Sequence, residues 1–290
     1  MSTLIRKTQP HPFASEHLRG QERPARITAS RGNTFAVYLA HLLRRSSRST
    51  LIWALAVAAY GAVIVAAFPS LGSAMDVSSY PTGIREALNI TAMDQIEPFL
   101  ETELFGYLPL VLAFLPMTVF AAALAGAEER GSLDVLLGTP LPRRHLVLST
   151  FLATAINLLV ISIVLGAVLW LTSLAVGAEL AFSAAMAGAI AAWPITLALG
   201  SVALLLSAVL RQRSQALGIA AGVMFVMYVL DLLSRLVDGL AWARYLSAFH
   251  YYGSAIQDGL SWGGAILLLA VAVVLAAAAT ALFERRDIYA

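Results

Sequence analysis

The chain has 290 residues, 59% of them hydrophobic and only 12% charged, with a formal net charge of +2. A soluble domain carries about 25% charged residues, so this composition excludes an ordinary globular domain and reads as an integral membrane protein. Cysteine is absent, which removes disulfides, thiol catalysis and thiolate metal sites together.

Residues 1–32 are polar, with Pro10, Pro12, Pro24 and scattered arginines, and read as a flexible tail ahead of a single domain over 33–290. No cleavable signal is expected, because the first strong apolar run begins only at Leu51 behind that basic tail. Residues 35–45 place Phe35, Tyr38, Leu39, Leu42 and Leu43 at helical spacing, with Arg44 and Arg45 at the end. That pattern predicts an N-terminal interfacial helix along the inner leaflet, though a soluble helix of the tail fits it too.

A membrane span needs about 20 mostly apolar residues. Six runs qualify: 51–68, 107–126, 146–174, 182–210, 216–233 and 265–283. They are continuous rather than alternating, so they predict helices and not barrel strands. The expected fold is an all-α polytopic membrane protein of six transmembrane helices. Spans 3 and 4 exceed what a bilayer requires and are expected to tilt or project into water. Gly218 and Gly222 in span 5, and Ala184, Gly188 and Ala192 in span 4, form small-residue ridges that permit close helix crossing. The stretch 231–264 is aromatic and glycine-bearing (Trp242, Tyr245, Phe249, Tyr251, Tyr252, Trp262). It predicts short, re-entrant-like helices at the outer interface before span 6.

Charge sets the expected orientation. The tail before Leu51 holds nine Lys/Arg and two acids. The loop 69–106 holds one Arg against Asp76, Glu86, Asp94, Glu97, Glu101 and Glu103. The termini and the even-numbered connections carry 16 of the 19 basic residues. By the positive-inside rule both termini, and the segment 127–145, face the cytoplasm.

The catalytic inventory is thin. All five histidines (His11, His17, His41, His145, His250) lie outside the expected spans. With no Cys either, a buried Ser–His dyad or a zinc site is not expected, and no metal ligand set is assigned. Thr118, Ser149, Thr154 and Ser201 read as packing groups rather than nucleophiles, and Asn157 as a packing hydrogen bond. Asp231, at the outer end of span 5, is one helical turn from Arg235 and reads as an interfacial i, i+4 pair. So little buried charge argues against proton- or sodium-coupled transport. No G-x-x-x-x-G-K-[ST] occurs, so ATP is not bound here by that route. Spans 2 and 5 carry Phe114, Met117 and Phe120, and Phe225 and Tyr228. An adaptable Met- and aromatic-lined path for an apolar substrate fits them, as does ordinary helix packing.

The segment 127–145, AEERGSLDVLLGTPLPRRH, is the most informative part of the chain. Glu128, Glu129 and Arg130 open it, and Gly131 follows. A short amphipathic stretch (Leu133, Val135, Leu136, Leu137) leads to Thr139, Pro140, Pro142, Arg143 and Arg144. This order and spacing, directly after one span and before the next, resembles the ABC-2 family of ABC-transporter permeases. The six-span layout, the helix before span 1 and the closing FERRDIYA are similar to that family as well. The acidic outer loop around ELFGYLPL resembles its antibiotic and multidrug exporter branch.

The resemblance implies the membrane-spanning, non-enzymatic subunit of an ATP-driven exporter. Two copies of the permease, as a homodimer, would pair with two ATP-binding cassette subunits that hold ATP and Mg. No cofactor is expected in this chain itself. The segment would be a cytoplasmic coupling helix, with Glu128, Glu129, Arg130, Gly131, Leu133, Leu136, Thr139, Pro140 and Arg143 as its coupling residues. Spans 2 and 5 line the dimer interface in similar permeases, which is what makes Phe114, Met117, Phe120, Phe225 and Tyr228 candidate path residues. The expected setting is the plasma membrane of a bacterium or archaeon, with lipid and no nucleic acid as surroundings. The alternative from another class is an ion-coupled secondary transporter working without an ATPase; an intramembrane enzyme is a third.

Overall fold

The computed structural model describes residues 31–71, 95–129 and 142–285. These are helical, and six helical stretches are long and apolar enough to cross a membrane. The chain runs through α1 (Arg31–Leu71), α2 (Ile96–Leu100), one π-helical turn (Glu101–Phe105), α3 (Leu108–Ala123) and α4 (Ala125–Glu129). After residues 130–141 come α5 (Arg143–Val176), α6 (Phe182–Val209) and α7 (Arg213–Leu236). A 3-10 helix (Asp238–Leu246), α8 (Ala248–Tyr252) and α9 (Ala255–Asp258) lead to the last span, α10 (Trp262–Arg285).

All six expected spans are present, but two begin earlier than expected. The interfacial helix over 35–45 is not a separate element: it runs into span 1 as one helix of 41 residues. At 1.5 Å per residue that is about 60 Å, twice the hydrocarbon thickness of about 30 Å. The polar stretch between the two parts does not break the helix, because its hydroxyls return to their own backbone. Ser46 donates to Leu43 O at 3.2 Å, Ser47 to Arg44 O at 2.8 Å and Thr50 to Ser46 O at 3.0 Å.

Span 2 begins not at 107 but at Ile96. The acids Glu97, Glu101 and Glu103, expected in a polar outer loop, lie on α2 and the π turn. Ile96, Pro98, Phe99, Leu100, Leu104 and Phe105 alternate with them and are all buried, so the segment folds as a half-apolar helix. Glu101 is only 8% exposed, which makes it a second buried acid beside Asp231.

The bundle is arranged around α6, which packs against α3, α5, α7 and α10, while α1 packs along α5. Small residues allow the close approaches. A β-carbon on Gly188 would lie 2.8 Å from Phe105 Cζ, and one on Gly200 would lie 2.5 Å from Pro116 Cβ. Gly188 is in the second turn of α6 and also faces Ile256, so α9 reaches alongside the membrane helix rather than standing off its end. Gly218 and Gly222, the other ridge, face nothing within 4 Å. Polar groups add cross-links: Asn157 Nδ2 donates to Ser46 Oγ at 2.8 Å, joining α5 to α1, and Trp193 Nε1 donates to Ala155 O at 2.9 Å, joining α6 to α5. Outward faces are apolar, with Leu51, Ile52, Leu55, Val63, Ile266 and Val274 exposed, as lipid contact requires. α5 ends at Gly177, whose left-handed conformation (φ 71°) lets its N–H cap Ser173 O.

Candidate functional site

Of the candidate coupling residues, Arg130, Gly131, Leu133, Leu136, Thr139 and Pro140 lie outside the described residues. Glu128, Glu129 and Arg143 are described, and they mark the two ends of the segment.

At the upstream end, Ala125, Gly126 and Ala127 are buried, and their small size lets α4 tuck against α6 and α7. Glu128 and Glu129 then reach the turn between α6 and α7. Glu128 Oε1 lies 3.7 Å from Arg211 Nε, with the two side chains 27% and 68% exposed. Glu129 Oε2 accepts the backbone N–H of Arg213 at 3.2 Å. Arg213 is the first residue of α7, whose own N-cap residue, Gln212, makes no side-chain capping bond. Glu129 therefore caps α7 from 84 residues away, where a carboxylate also complements the helix dipole.

At the downstream end, Arg143 Nη1 donates to Phe283 O at 3.4 Å, and the guanidinium lies 5.8 Å from the centroid of the Phe283 ring. His145 meets Phe35 of α1 edge-on at 5.6 Å, and its buried Nδ1 has no hydrogen-bond partner among the described residues. Ser149 donates to His145 O. The segment is thus anchored upstream on α7 and downstream on α10 and α1. His41 and His145, expected outside the spans, lie on the extended ends of α1 and α5.

The candidate path residues do not converge within one subunit. Met117 and Phe120 are fully buried, and Phe120 stacks on Phe151 at 6.2 Å. Phe114 and Phe225 point away from the bundle, 43% and 63% exposed. Tyr228 is half-buried and meets Phe249 edge-on at 5.3 Å.

The opposite end holds the polar groups. Arg235 Nη2 donates to Asp231 Oδ2 at 2.7 Å, the expected i, i+4 pair. Glu101, buried on the π turn, lies at this end as well. Tyr252 donates to Phe105 O at 3.4 Å. Burial holds its phenol well above the ordinary 10.0, with the Glu101 carboxylate adding to the rise, so it remains a neutral donor. The hydroxyls of Thr118, Thr154 and Ser201 each donate to a carbonyl three or four residues back on their own helix.

Sequence reasoning used Arg211 and Arg213 only to orient the chain, and did not single out Phe283 or Glu101. The signal for the two arginines was available: an acidic pair and a basic turn fall on connections expected on the same side. Nothing local marked Glu101, whose π turn packs against α6 while α9 packs on the neighbouring α2.

Residues 37–284 match the family model described as "Multidrug efflux system permease Rv1217c, C-terminal domain". No curated protein matches the chain.

Proposed function

The chain belongs to this multidrug efflux permease family, and on that premise we propose that it is the transmembrane subunit of an ATP-driven ABC exporter of the ABC-2 type. ATP and Mg are held on a separate ATP-binding cassette subunit, and two copies of this chain assemble with two of those. The permease domain is 33–290, with 1–32 a cytoplasmic tail. Both termini face the cytoplasm of a bacterial or archaeal cell, and the protein sits in its plasma membrane.

One observation carries the reading: a segment with the coupling-element residue order lies between spans 2 and 3, and its two ends are anchored on different helices. Such a segment can receive a push from a partner and pass it to the bundle. Leu133, Val135 and Leu136 supply an apolar face for a groove on the ATPase, and Arg130 supplies charge to set register. The chain lacks a phosphate-binding loop of its own, which is consistent with borrowing one. Phe114 and Phe225 face outward from spans 2 and 5, where a second copy would meet them. They are the path residues best placed for substrate, whereas Met117 and Phe120 support the wall from within.

The second reading, an ion-coupled carrier, is favoured by one observation, the buried Glu101 on the outer part of span 2. Co-purification separates the two. A tagged chain drawn from its own membrane in mild detergent is expected to bring down an ATP-hydrolysing subunit in equal amount. A chain that purifies alone, and transports in vesicles on an ion gradient that Glu101→Gln abolishes, would establish the carrier instead.

A further inference from the structure

We infer that Glu128 and Glu129 are a clasp between the coupling segment and the start of α7, transmitting the partner's stroke to that helix rather than gripping the partner. The inference rests on the ATP-driven reading and assigns these two carboxylates within it. Both are already engaged by their own chain: Glu128 on Arg211, Glu129 on the first backbone N–H of α7. Groups so occupied act on α7.

α7 is suited to be the element that moves. Of its 24 residues, Ala216, Ala220, Met224, Asp231 and Ser234 are the buried ones, and its first turn lacks a capping side chain of its own. A helix held within its own subunit by few buried contacts and a borrowed cap can shift against that subunit's other helices. The other end of the segment is hooked to α10 and α1 through Arg143 and His145. A force that reaches Glu128 and Glu129 on one side and Arg143 and His145 on the other therefore acts on two clamps that hold different helices, and shifts α7 against α10. α7 carries Phe225 and Tyr228 into the membrane. The clasp is also releasable, because Arg211 is 68% exposed, and an ion pair in water is weak enough to break within a transport cycle.

The test uses the complex of permease and ATPase subunit in lipid nanodiscs. The chain has no native cysteine, so spin labels can be placed at Val226→Cys on α7 and Val273→Cys on α10, both exposed on the single subunit. Labelled copies are diluted with unlabelled ones. The readouts are ATPase subunit retained on purification, and the α7–α10 distance with and without ATP. In the labelled parent the distance is expected to change with ATP. Glu128→Arg or Arg211→Glu alone should diminish that change while retaining the ATPase within about fivefold, the upper worth of an exposed pair. The charge swap, Glu128→Arg with Arg211→Glu, should restore it. Glu129→Ala should lose the change, and Glu129→Gln, which keeps an acceptor for the Arg213 N–H, should keep it.

Loss of the ATPase from the Glu128 or Glu129 variants would overturn the inference in favour of docking. A parent-like distance change in the single-charge variants, a parent complex whose α7 does not respond to ATP, or a swap that fails to restore it would overturn it as well. Failure of the parent chain to hold any ATPase subunit is a different result, and counts against the ATP-driven reading itself.

Discussion

Gly200 sits where α3 and α6 touch, and enlarging it is expected to force the two helices apart. A β-carbon there lies 2.5 Å from Pro116 Cβ, 2.8 Å from Pro116 Cγ and 3.4 Å from Phe120 Cε2. Carbon pairs rest at about 3.5–4.0 Å, so relief requires a separation of about 1 Å. Pro116 is part of α3 itself, and its ring cannot swing aside as a long side chain would. Overpacking of this kind costs about 1–3 kcal/mol, while leaving glycine returns up to about 1 kcal/mol of helix propensity for alanine and less for valine. Gly200→Ala is thus expected to lose up to about 2 kcal/mol, and Gly200→Val more. The assay is unfolding in detergent followed by tryptophan fluorescence, with Gly263→Ala as a control at a site that has nothing within 4 Å. The control should unfold at or above the parent, gaining at most about 1 kcal/mol. Gly200→Val unfolding at or above the parent midpoint would refute the close contact of α3 and α6.

Asn157→Ala removes the link to Ser46 and is expected to cost about 0.6 kcal/mol, the average for a hydrogen bond between membrane helices; a double-mutant cycle with Ser46→Ala checks that the two losses are one interaction. Arg235→Ala should destabilise more than Asp231→Ala, by about 1–3 kcal/mol. The first leaves a carboxylate whose side chain is 9% exposed without its partner, whereas the second leaves an arginine whose side chain is 43% exposed; equal unfolding midpoints would contradict this. Phe120→Ala opens a cavity beside Phe151 and is expected to cost about 3–5 kcal/mol. Phe225→Ala should leave unfolding of the separated subunit unchanged while altering export of a dye such as ethidium; unaltered dye export would remove Phe225 from the path.

The spans were legible because a run of about 20 apolar residues has few other fates. Their ends were not, because a helix need not stop where its apolar run stops. The Ser46–Thr50 stretch stays helical by bonding to itself, and Ile96–Phe105 hides its apolar positions among three acids. The two small-residue ridges look alike in sequence, yet Gly188 is packed under Phe105 and Gly218 and Gly222 are open. That difference depends on which neighbour arrives, and no local pattern contains it. The acidic pair after span 2 was legible as unusual, but its partners lie 84 residues on. Only the folded bundle brings Glu129 to the first turn of α7, and the same holds for Arg143 and Phe283, 140 residues apart.

Reconstitution tests the central claim most directly. The chain is placed in proteoliposomes with and without the proposed ATP-binding subunit, taken as the ATPase that co-purifies with it, and movement of ethidium is followed on addition of ATP and Mg. The account predicts movement only with both subunits and hydrolysable ATP, and none with the chain alone under a proton or sodium gradient. Gradient-driven movement by the chain alone, indifferent to ATP, would contradict it.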